Sequence, residues 1–227
     1  MSSAIPLPGV MVVATHTGAP PGPVPLPFVR DPDSEMAASF RVLRHRLRRT
    51  GDPRVIAVTS PGPREGKTTC AIALAMALAE HGRDKVMLLE ANLRRPRVGE
   101  ALGFAPPACF GHQMATHLEN PDTPWKAVAA FFDNLHVLAV APSSAGTMLL
   151  SPPSFQLAMT HVRAAGYSYV VIDCPPTLGS ADVNLVEDAA DGVMLTAMSG
   201  TTTKKALRRA RAHLEPAPIV GVVLMNA

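Results

Sequence analysis

Behind a glycine-rich turn, Lys67 is followed directly by Thr68, and far downstream Asp173 closes an apolar run. An ammonium, a hydroxyl able to ligate a divalent cation and a strand-end carboxylate are the groups that hold nucleotide phosphates. The stretch SPGPREGKTT is read as the phosphate-cradling pattern G-x-x-x-x-G-K-[ST], carried by Gly62, Gly66, Lys67 and Thr68. In such a loop the glycine lets the backbone wrap the phosphates, and main-chain N–H groups at the helix N-terminus point at them. The lysine reaches the β/γ oxygens and the hydroxyl holds Mg2+. The nucleotide-binding set is therefore Gly62, Pro63, Arg64, Glu65, Gly66, Lys67, Thr68 and Thr69, with ATP and Mg2+ as expected cofactors. A Gly-Pro turn with a solvent-facing Lys67 is the plainer alternative. The apolar run VIAVT before the loop and the Ala-rich run after it favour the phosphate site.

Asp173 ends YVVID, and Pro175 and Pro176 stop that run from continuing as a strand. It has the form of a Walker B carboxylate, which holds Mg2+ through water. Such an aspartate could also cap the next helix, but beside a phosphate loop the metal role is preferred. A further polar strand end is Glu90 in VMLLEANLRRPR, with Asn92 two residues on. Whether Glu90 is a catalytic carboxylate depends on what surrounds it.

The elements that must position these groups read as alternating strands and helices. Apolar runs at 55–59, 86–89, 135–140, 169–172, 192–198 and 219–225 suit buried strands. Helical patterns at 67–81, 152–165, 180–189 and 202–214 separate most of them. A further helix begins at Ser34, its expected N-cap, with Met36, Phe40, Leu43 and Leu47 on one face. This rhythm gives an α/β fold, a mostly parallel sheet with helices on both faces, whose chemistry sits beyond the carboxyl ends of the strands. Residues 1–32 are rich in proline, which removes main-chain donors, and read as a flexible tail or a packing arm; residues 33–227 read as the P-loop domain.

With 47% hydrophobic and 17% charged residues the chain is globular rather than disordered. Net charge is +3, with local clusters at Arg41, Arg44, Arg46, Arg48, Arg49 and at Lys204, Lys205, Arg208, Arg209, Arg211. Each cluster reads either as a solvated helix face or as a surface for an acidic partner. Cys70, Cys109 and Cys174 lie far apart without a C-x-x-C, so neither a zinc site nor a disulfide framework is expected. No apolar run approaches the roughly 20 residues that span a bilayer, so the chain is expected to be soluble.

The strand-end motifs resemble those of the bacterial tyrosine kinases of capsule and exopolysaccharide assembly, a family of deviant-Walker, MinD-like P-loop proteins. The resemblance runs from about Asp33 to Asn226 and includes SFRVLRHRL, LRRPRVGEALGF and the long segment that leads into Asp173. It implies a kinase that phosphorylates tyrosine, with Lys67, Glu90 and Asp173 catalytic and Thr68, Glu90 and Asp173 holding Mg2+. It also implies an adenine contact at Asn226. As partners it implies the cytoplasmic tail of a membrane polysaccharide co-polymerase, or chain-length regulator, and a homo-oligomer through the Arg41/Arg44 helix. Location in the cytoplasm at the inner face of the membrane follows, and nucleic acid is not expected as a partner.

The departures are specific. Where the family carries two aspartates this chain has Glu90 and Asn92, and Asn92 cannot act as a base. Ala38 replaces the glutamate whose ion pairs close the family's ring. The family's tyrosine cluster is absent, the only tyrosines being Tyr167 and Tyr169. Trp125, His112 and His117 read as packing or surface residues. Two further functions follow: a nucleotide-dependent scaffold with little chemistry, and a ParA/MinD-type partitioning ATPase. The latter requires a lysine where this chain has Gly62.

Overall fold

The computed structural model describes residues 9–18, 26–144, 150–180 and 182–226. Val10–His16 form β1, Pro27–Arg30 α1, Glu35–Arg49 α2, Val55–Thr59 β2, Lys67–Ala79 α3 and Val86–Glu90 β3. They are followed by α4 (Val98–Leu102), α5 (Phe110–Glu119), β4 (Trp125–Ala130), β5 (Leu135–Leu138) and α6 (Pro152–Ala164). The chain continues through β6 (Tyr169–Asp173), α7 (Asp182–Glu187), β7 (Gly192–Met198), α8 (Lys204–His213) and β8 (Ile219–Met225).

The strands form one eight-stranded sheet in the order β1-β4-β5-β3-β6-β2-β7-β8. Every neighbouring pair is parallel except β4 with β5. Successive side chains of a strand point to opposite faces, so Ile56 and Val58 enter one core layer while Val55 and Ala57 enter the other. The first layer lies under α2 and α3, where Phe40 and Leu47 meet the alanine-rich α3; each such large side chain contributes about 2 kcal/mol by leaving water. The second lies under α5, α6 and α8 through Phe110, Phe155, Val162 and Ala210. Alanine's high helix propensity and small volume let α3 press against the sheet, which fixes where Lys67 and Thr68 emerge.

Residues 1–8 and 19–25 of the expected flexible tail lie outside the described residues. Its other parts depart from that expectation: β1 pairs with β4 at the sheet edge, and Leu26, Pro27 and Phe28 are buried. VMVVATH contains no proline, and Pro27 sits at the first turn of α1, where its missing N–H costs nothing. The packing-arm reading fits these segments.

Ser34 caps α2 as expected, its hydroxyl accepting the Ala37 N–H. The sequence does not announce β4 and α5. WKAVAA is too rich in alanine to read as a strand, and the third inward position of α5 is a histidine, His117, rather than an apolar residue.

Candidate active site at the carboxyl edge of the sheet

Because β2, β3 and β6 are parallel neighbours, their ends Thr59, Glu90 and Asp173 come together at one edge. Three residues rather than four separate Gly62 from Gly66, so the first position of G-x-x-x-x-G-K-[ST] falls on Pro61, a correction to the reading of this loop. The loop still forms between β2 and α3. Gly66 adopts φ +78°, and a Cβ there would lie 2.8 Å from Met225 Cγ, so only glycine fits. Since no side chain caps α3, its first N–H groups remain available to an anion.

The loop is tied together by its own polar groups. The Ser60 hydroxyl donates to the Gly62 carbonyl at 2.6 Å, and Lys67 Nζ lies 3.4 Å from the same oxygen. The Gly62 N–H donates to Glu65 Oε2 at 2.6 Å, and the Thr202 hydroxyl donates to Glu65 Oε1 at 2.6 Å. Glu65 is thus buried as a brace between the phosphate loop and the turn after β7, while Pro63 and Arg64 are exposed. Arg64 holds φ +63°, a conformation that favours glycine. Thr69 is half-buried in the first turn of α3.

Thr68 Oγ1 donates to Asp173 Oδ2 at 2.7 Å, which joins the loop to the end of β6. Asp173 Oδ1 is buried with no hydrogen-bond partner. An acceptor left bare in the interior costs about 1–3 kcal/mol or more, a cost that a bound cation would remove. The threonine hydroxyl, the free carboxylate oxygen and the lysine fit an Mg2+–nucleotide phosphate pair. Burial pushes the Asp173 carboxyl up to about 6, opposed by the Thr68 hydrogen bond and Lys67, while burial lowers the Lys67 ammonium.

Glu90 is a different kind of carboxylate from the one expected. Its Oε1 accepts the N–H groups of Arg97 and Val98 at the start of α4, the latter at 2.8 Å, and its Oε2 accepts the Val140 N–H at 2.8 Å. The extra methylene that separates it from an aspartate is what reaches those amides. Burial and the neighbouring Asp173 raise its carboxyl to about 7 against the pull of the three N–H groups. Both oxygens therefore already have main-chain partners, two on Oε1 and one on Oε2, and this favours a structural role for Glu90 over the expected roles of metal ligand and base. Asn92 is buried as well, at 9% exposure.

Asn226 follows Met225, the residue that packs on Gly66, and is exposed beside the loop. Arg41 and Arg44, expected to face another subunit, instead both engage Glu80 at the end of α3, Arg41 Nε at 2.8 Å and Arg44 Nη1 at 3.2 Å. Glu80, a single acid at a helix end, and Thr202, inside a run of three threonines, carry no local signal of these roles. Tyr167 and Tyr169 are both occupied: Tyr167 OH pairs with His136 Nδ1 at 2.7 Å and Tyr169 OH donates to Asp52 at 2.7 Å. Trp125 is fully buried and stacks on His117 with ring centroids 3.7 Å apart, so of the two readings, packing or surface, both residues take the first.

No family model matches the chain. It is 30% identical over 188 residues to tyrosine-protein kinase YwqD of Bacillus subtilis (strain 168), covering 81% of this chain and 77% of that protein. It is 26% identical to the succinoglycan biosynthesis transport protein ExoP of Rhizobium meliloti (strain 1021), spanning only 25% of it. It is also 31% identical to the chromosome partitioning protein ParA of Caulobacter vibrioides, covering 75% of this chain and 68% of that one. Among solved structures, the kinase domain of Escherichia coli tyrosine kinase ETK superposes with a TM-score of 0.71 over 96% of this chain and 91% of that domain. At 20% identity that likeness establishes the fold.

Proposed function

The chain belongs to the family of bacterial tyrosine-protein kinases, and on that footing we propose that it binds Mg2+-ATP in the Gly62–Thr69 loop and transfers the γ-phosphoryl group to a tyrosine hydroxyl. The pathway served is exopolysaccharide or capsule synthesis and export, the partner the cytoplasmic tail of a membrane polysaccharide co-polymerase, and the place the inner face of the membrane. The observation that carries the site is Asp173 Oδ1, buried and unpartnered beside Thr68 and Lys67.

Asp173 and the Thr68 hydroxyl would hold Mg2+, and Lys67 would set its charge against the β/γ oxygens. When bound, Mg2+ neutralises charge shared between those phosphates. Phosphoryl transfer asks the protein mainly for position and charge stabilisation, so it tolerates the loss of Glu90 as a base. Glu90 then acts on the reaction through the backbone, holding the start of α4 and the segment after β5 around Asp173. Tyr167 and Tyr169 are both hydrogen-bonded inside the fold, so neither is placed to serve as the acceptor.

A second reading, a nucleotide-dependent scaffold with little chemistry, is favoured by one observation: Glu90 spends both oxygens on main-chain N–H groups. The partitioning alternative has the ParA likeness in its favour and Gly62, in place of a lysine, against it. Incubating the protein with Mg2+ and radiolabelled ATP, with and without a co-polymerase tail, and mapping phosphotyrosine separates them. Label on tyrosine supports the kinase, nucleotide binding without label supports the scaffold, and hydrolysis stimulated by DNA supports partitioning.

A further inference from the structure

Most arginines with a carboxylate in reach use it: Arg41, Arg48, Arg54, Arg94, Arg97 and Arg163 all form ion pairs. Helix α8 differs. Lys204, Lys205, Arg208, Arg209 and Arg211 are exposed and meet no acidic side chain among the described residues. At 3.6 residues per turn these five cations spread over about 160° of the helix, opposite the buried Ala210 that seats it on the sheet. Thr203 caps the helix by accepting the Ala206 N–H, so the face is presented on an ordered element.

Beside this face the sheet ends at β8, and there Val222 is 52% and Leu224 66% exposed. A groove lined by Leu207, Arg208, Arg211, Ile219 and Val222, with Glu215 as its one carboxylate, joins Arg208 and Arg211 to the apolar strip at Val222. Unpaired cations against an exposed apolar strip are a surface that water satisfies only in part.

We propose that α8 and the β8 edge form a docking surface for an anionic lipid bilayer, the cations meeting lipid phosphates while Val222 and Leu224 sit at the headgroup boundary. Nucleic acid would satisfy the cations but offers nothing to Leu224. A convex helix face suits a flat and laterally mobile array of anions. This surface is distinct from the nucleotide site and stands whether or not the chain is a kinase.

The test is sedimentation of the full chain with vesicles of phosphatidylglycerol and phosphatidylcholine in equal parts, against phosphatidylcholine alone. Each cation near an anionic leaflet strengthens binding about fivefold. The triple variant Lys204→Gln, Arg208→Gln, Arg209→Gln should therefore weaken anionic-vesicle binding on the order of 100-fold, and Leu224→Ser should weaken it further. Added salt should weaken binding as well. Unchanged nucleotide affinity in each variant establishes that it is folded. Binding to neutral vesicles alone, vesicle binding indifferent to the triple variant, or tighter binding to duplex DNA than to anionic vesicles would overturn the proposal.

Discussion

Glu90 and Asp173 stand opposite each other on one rung between β3 and β6, and they are satisfied in opposite ways. Glu90 gives both oxygens to main-chain N–H groups, while Asp173 keeps Oδ1 bare beside the phosphate loop. Two buried carboxylates on adjacent strands repel, and each raises the cost of ionising the other. The site resolves this by making one structural and leaving one to be neutralised from outside.

Shortening Glu90 to aspartate should therefore damage the fold rather than improve the site. A hydrogen bond to a charged group contributes about 1.5–3 kcal/mol, and Glu90→Asp withdraws the carboxylate from three of them, so a loss of about 3 kcal/mol or more is expected. Denaturant unfolding measures it. Stability equal to the parent would mean that those bonds are weak and Glu90 is free for chemistry.

The two raised carboxyls set a pH dependence. Glu90 at about 7 and Asp173 at about 6 keep protons in the folded state that the unfolded chain has already released. Unfolding free energy should thus fall as pH rises from the ordinary carboxylate range to about 7, then level off. Asp173→Asn should flatten part of that slope and leave the nucleotide-free protein at least as stable near neutral pH.

Metal affinity runs the other way. Mg2+ needs ionised Asp173, so Mg2+-dependent nucleotide affinity should weaken as pH drops below about 6, approaching tenfold per unit. Calorimetric titrations across that range would show it, and in Asp173→Asn the dependence should vanish together with the Mg2+ requirement.

Arg41 and Arg44 are engaged by Glu80 within the chain, so neither of these two arginines is free to pair with a second copy. Light scattering with Mg2+-ATP should give the mass of one chain. Ala38→Glu should promote self-association only when Glu80→Gln releases the arginines, and a ring formed by the parent protein would show that other contacts suffice.

Thr202 bridges Glu65 and the Met198 N–H, the latter at 2.8 Å, so Thr202→Val removes the link between the phosphate loop and the turn that leads into α8. Nucleotide affinity should fall several-fold, in line with about 1 kcal/mol for a hydrogen bond, with little change in melting temperature.

Much of this was legible in the sequence because it depends on local pattern. The runs ending at Thr59, Glu90 and Asp173 are short, apolar and bounded, so both the strands and the edge where they converge could be read. What escaped depends on contacts distant in sequence. Nothing local to Glu90 announces that its carboxylate reaches Val140, fifty residues on, and nothing local to Glu80 announces α2. The proline count concealed β1, since composition averages over a segment whose prolines bracket the strand instead of interrupting it.

The most direct test of a working Mg2+-ATP site on Lys67, Thr68 and Asp173 is single-turnover transfer from radiolabelled ATP to a tyrosine-rich peptide, comparing the parent with Asp173→Asn. The account predicts transfer by the parent and a loss on the order of 10²- to 10⁴-fold in the variant, the usual cost of one well-placed catalytic contact. A parent protein that binds Mg2+-ATP yet labels no tyrosine, or an Asp173→Asn variant that transfers as fast as the parent, would contradict it.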